Sequence, residues 1–359
     1  MTERENLIRA ARRQGPDHVP HHLNLCASLV EAFRDRTGQD DYEEYFQTPV
    51  RGVFIRPTRH CIDRGAYFKN AGDLTIDEWG IGYIRSSVAH FTRMVHPLEN
   101  ADVAQIRAYP LPDVLEPYRW EGVEAQVQEY HRRGLAAFTG IHAYRGGDVA
   151  AYIDLFERAW YLRGQENFLV DLMTDEDVAA ALLDKVLEYD IALARRWAKT
   201  GVDMICLGDD VGSQKGLILS PATWKRWIKP RLSAIIRAAK AENPGALIFY
   251  HSCGDVYEII PDLIECGVDI LNPVQPECMD AAKISREYGG SISFWGVLGT
   301  QRIMPFGTAE EVRSECRRII GNVGQNGGLI FSPTHILEPE VPWENIEAFI
   351  QAAAAFGKY

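Results

Sequence analysis

Hydrophobic positions along the chain follow two alternating patterns. Short apolar runs rich in branched and aromatic residues are separated by longer segments in which apolar residues recur at the helical period. This alternation of strands and helices predicts an α/β fold with a parallel sheet. The eight runs are HVPHHLNL, VRGVFIRP, LAAFTGIHAY, VDMICLGDDVG, ALIFYHSCGD, VDILNPVQPE, SISFWGVLGT and GGLIFSPTH.

The segments between the later runs carry clear helix-start signals. Ser220 precedes Pro221, which suits an N-cap followed by proline at the first helical position. Thr308 and Glu311 have the spacing of a capping box. Because repeated strand–helix units connect through right-handed crossovers, these helices support a sheet of parallel strands.

The number of units predicts how the sheet is arranged. Eight strand–helix units favour a (β/α)8 TIM barrel, which needs about 250 residues and accepts long insertions. The surplus falls in residues 58–135, where TIDEWGIGYIRSS indicates an inserted hairpin and HPLENADVAQIRAYPLPD a loop with a short helix. An open doubly wound sheet is the alternative, but its usual glycine-rich phosphate turn is absent here. We expect one domain over residues 1–359.

Charge and composition narrow the classes of function. The formal net charge of −12 argues against binding to nucleic acid or anionic membranes, because both need clustered Lys and Arg. No apolar run approaches the about 20 residues that span a bilayer. The charged N-terminus MTERENLIRAARRQG lacks the apolar core of a secretory signal, which indicates a cytoplasmic protein. The seven scattered cysteines suit buried thiols or metal ligands better than disulfides.

Polar residues at the ends of the runs are the candidate functional residues, because a barrel carries its chemistry at the C-terminal ends of its strands. Simple strand termination also places polar residues there, so each candidate has a structural alternative. The candidates are Asn24, His142, Asp209, Asp210, His251, Cys253, Asn272, Gln275, Glu277, Trp295 and His335.

The run ALIFYHSCGD ends in a histidine and a cysteine with the spacing of metal ligands. His251 and Cys253 are two residues apart, so on a strand both side chains point to the same side. An imidazole with a thiolate favours zinc over magnesium or calcium. His335, at the end of the last run, is the best third ligand, and three ligands with one open position describe a catalytic zinc. A chance pair of buried residues is the alternative.

The other candidates suit substrate binding and proton transfer. Only one of Asp209 and Asp210 can face the cavity on a regular strand, and we favour Asp210, as a group that binds a cation or the metal or moves a proton. The pair equally fits a turn before Gly212. His142 suits proton transfer or a structural role. The candidate substrate-binding residues are Asp209, Gln214, Asn272, Gln275, Glu277 (also a candidate fourth metal ligand) and Trp295 (equally a core residue).

The chain resembles the uroporphyrinogen decarboxylase superfamily, most clearly over residues 200–356. The resemblance implies a (β/α)8 barrel, in agreement with the count of runs. The strongest stretches are GVDMICLGDDVGSQKGLILSPATWKRWIKPRL, YHSCGDVYEIIPDLIECGVDILNPVQPE, FWGVLGTQ and GGLIFSPTHILEPEVPWENIEAFIQA, and weaker similarity continues through DEWGIGY, HPLENAD and ERAWYLRGQENFLVDL.

This superfamily contains two main chemistries. One branch decarboxylates uroporphyrinogen without metal and grips the substrate with arginines in a first-strand motif, whereas this chain has no arginine between Arg13 and Arg34. The other branch consists of zinc methyltransferases with His-x-Cys at one strand end and a third ligand, usually cysteine, at the end of the final strand. His251 and Cys253 resemble the first part of that pattern, and His335 stands where the cysteine is usual.

The resemblance therefore implies a zinc-dependent methyltransferase that moves a methyl group between a small methylated substrate or thiol and a corrinoid. The chain has no cobalamin-binding Asp-x-His-x-x-Gly signature, so the corrinoid (cobalamin) is expected on a separate partner protein. The alternative is a decarboxylase or lyase acting on a carboxylic acid, and a non-catalytic binding barrel is a third hypothesis. The decarboxylase relatives further imply a homodimer.

Overall fold

The fold is known from a computed structural model, which describes residues 1–60, 74–84, 93–139, 152–325 and 327–359. His142, the candidate for proton transfer, lies outside these residues, so its role stays a prediction. The single-domain organisation of the chain also stays a prediction.

Strands and helices alternate along the described part of the chain. The strands are β1 (Val50–Val53), β2 (Thr75–Ile76), β3 (Gly82–Ile84), β4 (Arg93–Val95), β5 (Ala136–Thr139), β6 (Ile153–Asp154), β7 (Met204–Gly208), β8 (Gly212–Ser213), β9 (Gly216–Leu217), β10 (Leu247–His251), β11 (Ile270–Asn272), β12 (Ser293–Leu298) and β13 (Leu329–Pro333). The α-helices are α1 (Glu3–Arg12), α2 (Ala27–Thr37), α3 (Tyr42–Tyr45), α4 (Val103–Ala108), α5 (Val123–Arg132), α6 (Leu155–Arg163), α7 (Gln165–Thr174), α8 (Glu176–Lys199), α9 (Pro221–Trp227), α10 (Lys229–Glu242), α11 (Ile260–Cys266), α12 (Ala281–Tyr288), α13 (Ile303–Phe306), α14 (Ala309–Val323) and α15 (Trp343–Phe356).

A curled parallel sheet forms the frame of the described structure. Its strands follow the order β1-β5-β7-β10-β11-β12-β13, and the short β6 pairs with β7. Seven of the eight predicted runs contain one of the strands on this path, which confirms the α/β fold. Since all of these strands are parallel, their C-terminal ends lie at one edge of the sheet, as in a TIM barrel.

The first predicted run differs from the expected strand. HVPHHLNL pairs with the chain around β13 only through two parallel bridges, His21 with Phe331 and Leu25 with Leu337. Between the two bridges the first run advances four residues, from His21 to Leu25, whereas its partner advances six, from Phe331 to Leu337. A continuous ladder of β-sheet hydrogen bonds therefore cannot form between the two segments. Within the described residues no strand pairing joins this run to β1, and the sheet is not closed into a complete barrel.

An apolar core fills the concave side of the sheet. Inward-facing residues of the strands, including Phe138, Phe249 and Trp295, pack together as a cluster separate from the core between sheet and helices. Leu7 and Ala11 of α1 join this cluster, so the first helix covers one end of the sheet. The candidate functional residues therefore lie at the other end, where the strands have their C-terminal ends.

The predicted insertion is present in the described part of residues 58–135. β2 and β3 form an antiparallel pair that β4 extends, and α4 is the expected short helix. Trp79 of this hairpin is buried, with the guanidinium of Arg158 4.4 Å from its ring centroid. The insertion thus packs against α6, the helix that carries Arg158.

Two predicted helix starts are confirmed. Ser220 caps α9 by accepting the Thr223 N–H, with Pro221 at the first helical position. Thr308 and Glu311 form the capping box of α14. Among the described helices none is both long enough and apolar enough to cross a membrane.

Candidate metal centre

The end of β10 presents two potential metal ligands on one side. His251 is the last residue of the strand, and Cys253 follows two residues later. The Cys253 Sγ lies 3.5 Å from the His251 Nε2. A tetrahedral ion that binds nitrogen at about 2.0 Å and sulfur at about 2.3 Å holds these two atoms about 3.5 Å apart. The pair therefore has the spacing of two ligands on one zinc ion.

Asp210 completes a group of three donors. Its Oδ1 lies 3.5 Å from the His251 Nε2 and accepts a hydrogen bond of 2.7 Å from the Cys253 N–H. In the described part of the chain, Asp210, His251 and Cys253 are the group whose donor atoms all lie within 4.8 Å of one another. The edge between nitrogen and carboxylate oxygen in a tetrahedral zinc site is about 3.3 Å, so the carboxylate also fits.

His335 lies near this group but farther out. Its ring centroid is 6.5 Å from that of His251, whereas two imidazoles on one tetrahedral zinc have centroids about 5 Å apart. Burial and the nearby His251 lower the pKa of His335 to about 4, so its imidazole is neutral at physiological pH. The role of His335 as the third ligand stays a prediction from the sequence, and its ring lines the same cavity as Cys253.

The charges around His251 favour a cation. Burial lowers the pKa of His251, but the adjacent Cys253 and Asp210 outweigh that effect, and the net pKa is about 10. The side chains of His251 and Asp210 are 21% and 41% exposed, so the group is open to a ligand from outside. Without an ion, a proton on His251 supplies the positive charge that this surrounding stabilises.

Asn272 orients the imidazole of His251. The Nδ1–H of His251 donates to the Asn272 Oδ1 at 2.6 Å, and the Asn272 Nδ2 donates to the Trp295 carbonyl at 2.7 Å. This arrangement directs Nε2 toward Cys253 and Asp210, as an outer partner of a metal-binding histidine does. Trp295 itself is 2% exposed and packs edge-on against Phe249 in the inner core.

The neighbouring Asp209 turns away from the metal donors. Its Oδ1 accepts the backbone N–H groups of Phe156 and Glu157 at the start of α6, at 2.6 and 2.9 Å. Burial raises the pKa of Asp209 well above its usual value. Glu157 faces back, and its Oε2 accepts the Asp210 N–H at 3.1 Å. Of the two adjacent aspartates, Asp210 thus lies with the metal donors.

A cavity of about 220 Å³ lies beside the donor group. Cys253 and His335 line it together with Gln214, Gln275, Thr300 and Glu338. The Gln275 Oε1 also accepts the Gly254 N–H at 3.0 Å, and the exposed Gln214 accepts from the Cys278 thiol at 3.3 Å. Among the described wall residues there is no lysine or arginine.

Glu277 is not among the described residues that line this cavity, and its carboxylate lies close to Gly299. A Cβ at Gly299 would come within 2.5 Å of the Glu277 Oε1, so the glycine leaves room for this carboxylate. The Glu277 Oε2 is buried without a hydrogen-bond partner among the described residues. The predicted substrate-binding roles of Glu277, Asp209, Gln214, Asn272, Gln275 and Trp295 stay predictions.

Residues 156–356 match the uroporphyrinogen decarboxylase (URO-D) family. The chain belongs to the URO-D family. Its C-terminal ends of β7, β10 and β13 all fall within the matched residues, so the candidate metal centre lies in the family domain.

Proteins with two different activities are similar to this chain. It is 25% identical to a uroporphyrinogen decarboxylase of Legionella pneumophila over 96% of this chain and 95% of that protein. It is 26% identical to the methylcobamide:CoM methyltransferase MtaA of Methanosarcina barkeri. This second match spans about half of each protein, 52% of both.

A solved structure supports the fold. A methyltransferase from Methanosarcina mazei aligns with a TM-score of 0.69 over 99% of both chains, at 18% sequence identity. At that identity the likeness concerns the fold alone. It agrees with a URO-D-like barrel frame for the described residues.

Glu157 is a residue of this centre that the sequence analysis missed. It stands in the first turn of α6, where acidic residues are common for reasons of helix stability alone. Nothing in its local sequence distinguishes it from such a residue. Its contact with Asp210 depends on packing between segments 53 residues apart.

Proposed function

We propose that this protein is a zinc-dependent methyltransferase that moves a methyl group between a small methylated substrate or thiol and a corrinoid on a separate protein. The observation that carries the proposal is the spacing of Asp210, His251 and Cys253, whose donor atoms lie within 4.8 Å of one another at the open edge of the sheet. The similarity to MtaA supports the same activity.

The donor set fits zinc better than a hard cation. One thiolate, one imidazole and one carboxylate are all ligands that zinc accepts in tetrahedral geometry, whereas magnesium and calcium prefer oxygen. Asp210, His251 and Cys253 would hold the ion and leave its fourth position open. When bound, the ion acts as a Lewis acid that activates the thiol or the leaving group of the methylated substrate.

Protein groups around the centre prepare it for a small substrate. Asn272 fixes the His251 ring, and His335 lines the same cavity as Cys253, beside the donors. The cavity of about 220 Å³ is smaller than the about 300–1,000 Å³ of pockets that hold drug-sized ligands. This size suits a small methylated compound or thiol rather than a tetrapyrrole.

Decarboxylation of a carboxylic acid is the second candidate. The similarity to the Legionella enzyme over nearly the whole chain favours it. However, a substrate carboxylate would meet Glu338 and Glu340 in the cavity wall, and no lysine or arginine among the described residues there. An anionic substrate is therefore less well matched to this wall than a neutral or cationic one.

The corrinoid partner follows from the same proposal. A methyl group that enters or leaves through the open edge of the sheet requires the corrinoid protein to dock over that edge. Homodimerisation and a cytoplasmic location remain predictions from the sequence.

The proposal is tested by metal content and methyl transfer together. The purified protein should bind stoichiometric zinc, and the zinc-loaded form should demethylate free methylcobalamin with 2-mercaptoethanol or methylate cob(I)alamin from a methoxyarene, methylamine or methylthiol. C253A should lose both properties. Metal-independent release of CO2 from uroporphyrinogen or a smaller acid, with no methyl transfer in either direction, would instead support the decarboxylase.

A further inference from the structure

Helix α6 and the end of β7 hold each other by reciprocal hydrogen bonds. The residue before the helix, Asp154, makes no side-chain cap, although the first N–H groups of a helix need partners. Asp209 supplies the cap from another segment, since its Oδ1 accepts from Phe156 and Glu157. Asp209 is 2% exposed, so this contact is inside the protein.

The return contact runs from the helix to the metal donor. The Glu157 Oε2 accepts the Asp210 N–H at 3.1 Å, and its Oε1 accepts the Tyr161 hydroxyl at 2.8 Å. Both carboxylate oxygens of Glu157 are therefore occupied. Tyr161 stands one turn later on α6, so it fixes the direction of the Glu157 side chain.

The sheet register explains why these groups meet. β6 runs parallel to β7, with Ile153 beside Leu207 and Asp154 beside Gly208. The chain after Asp154 turns into α6, and the chain after Gly208 enters the Asp209–Asp210 pair. The start of the helix and the aspartates are thus placed side by side at the edge that carries His251 and Cys253.

We propose that Glu157 is a positioning residue for the metal centre, which together with Asp209 fixes the backbone at Asp210 so that its carboxylate faces His251 and Cys253. This inference rests on the proposed function, because it takes Asp210 as a metal ligand. Glu157 acts through Asp210, whose backbone N–H it accepts, and is not one of the three grouped donors.

The remaining contacts of Asp210 explain why its hydrogen bond with Glu157 matters. The Asp210 Oδ1 accepts from the Cys253 N–H, but the Asp210 side chain is 41% exposed and has room to turn toward solvent. Its backbone N–H is held by Glu157. The carbonyl of the same peptide accepts the Val211 N–H at 2.8 Å, so the Glu157 bond is one of two that orient it. Loss of the Glu157 bond should let the peptide tilt and shift the carboxylate from the position that matches His251 and Cys253.

The test measures metal affinity in variants of the full-length protein. E157A should weaken binding of Zn²⁺, measured by competition with a chelating dye, by about 10–100-fold, which is usual for loss of a partner outside the ligand set. E157Q should bind close to wild type, because its amide oxygen can accept the Asp210 N–H while its NH2 group donates to Tyr161. E166Q, the same change in the exposed first turn of α7, is the matched control.

A double-mutant cycle separates positioning from a general effect on folding. In a D210A background, E157A should cause no further loss of affinity, since the residue through which it acts is already gone. The absorption spectrum of the Co²⁺-substituted protein should change in E157A and not in E157Q or E166Q. E157M, of similar volume but without an acceptor, serves the same test if urea unfolding shows that E157A is not folded.

Three outcomes would overturn the inference, and they differ. If D210A weakens metal binding but E157A and E157M do not, Asp210 is a ligand and its hydrogen bond with Glu157 does not position it. If D210A binds Zn²⁺ as wild type does, the ligand set itself is wrong. A loss in E157A that persists in the D210A background would also contradict positioning through Asp210.

Discussion

The ends of β7 and β10 are neighbours in one parallel sheet, yet they contribute to the site in different ways. Gly208 pairs with His251, so both strands end at the same level. At the end of β10, His251 and Cys253 are two residues apart and share one side. Beyond β7, Asp209 and Asp210 are adjacent in sequence, but their side chains point in different directions. Asp209 faces the start of α6, and Asp210 faces His251. Strand periodicity thus predicts which residues share a side, but only packing decides what each side meets.

The largest effect should come from the end of β10. H251A and C253A each remove a ligand, so each should lower Zn²⁺ affinity by more than the about 100-fold that loss of an outer partner can cause. C278S is a suitable control, because Cys278 is another half-buried cysteine whose thiol contacts Gln214. Chelator competition measures all three, and an unchanged affinity in C253A would remove the thiolate from the centre.

The end of β7 allows the same chemical change at two adjacent positions. D210N replaces a charged ligand with a neutral amide and should weaken Zn²⁺ binding by at least about tenfold, since one unit of charge is lost next to the ion. D209N should keep near-wild-type affinity, because its amide oxygen can still accept from Phe156 and Glu157. Isothermal titration with Zn²⁺ compares the two, and equal losses would mean that the side chains do not diverge as described.

The smallest expected effect concerns the support of His251. N272A removes the acceptor of the Nδ1–H, and the ring becomes free to turn. We expect a loss of Zn²⁺ affinity of about 10-fold. This is the lower end of the range of about 10–100-fold seen when a residue that hydrogen-bonds a metal-binding histidine is removed. Thermal unfolding of the metal-free protein serves as the control for stability. Affinity equal to wild type would show that packing alone holds the ring.

Much of the frame follows from the sequence. Seven apolar runs contain the seven strands of the parallel path from β1 to β13. The helix caps at Ser220 and Thr308 lie where the local sequence signals place them. The hairpin of β2 and β3 also lies within TIDEWGIGYIRSS, the stretch for which the sequence predicts it. These features depend on neighbouring residues, which is why local patterns are sufficient.

Features that depend on distant segments were less predictable. The first run fails to form a regular strand because its length between bridges does not match that of the chain after Phe331. Asp210 joins His251 through the register of β7 with β10, and Glu157 joins Asp210 through the pairing of β6 with β7. Neither register is visible in the sequence. Conversely, the His251–Cys253 pair is local, and the sequence alone indicated it.

The central claim is that one metal ion is held by Asp210, His251 and Cys253. X-ray absorption at the zinc edge of the wild-type protein tests it most directly. The account predicts one sulfur at about 2.3 Å and nitrogen or oxygen neighbours at about 2.0–2.2 Å, with the same protein ligands in H335Q. A zinc shell without sulfur, or with two sulfurs, or one that loses a nitrogen in H335Q, would contradict it.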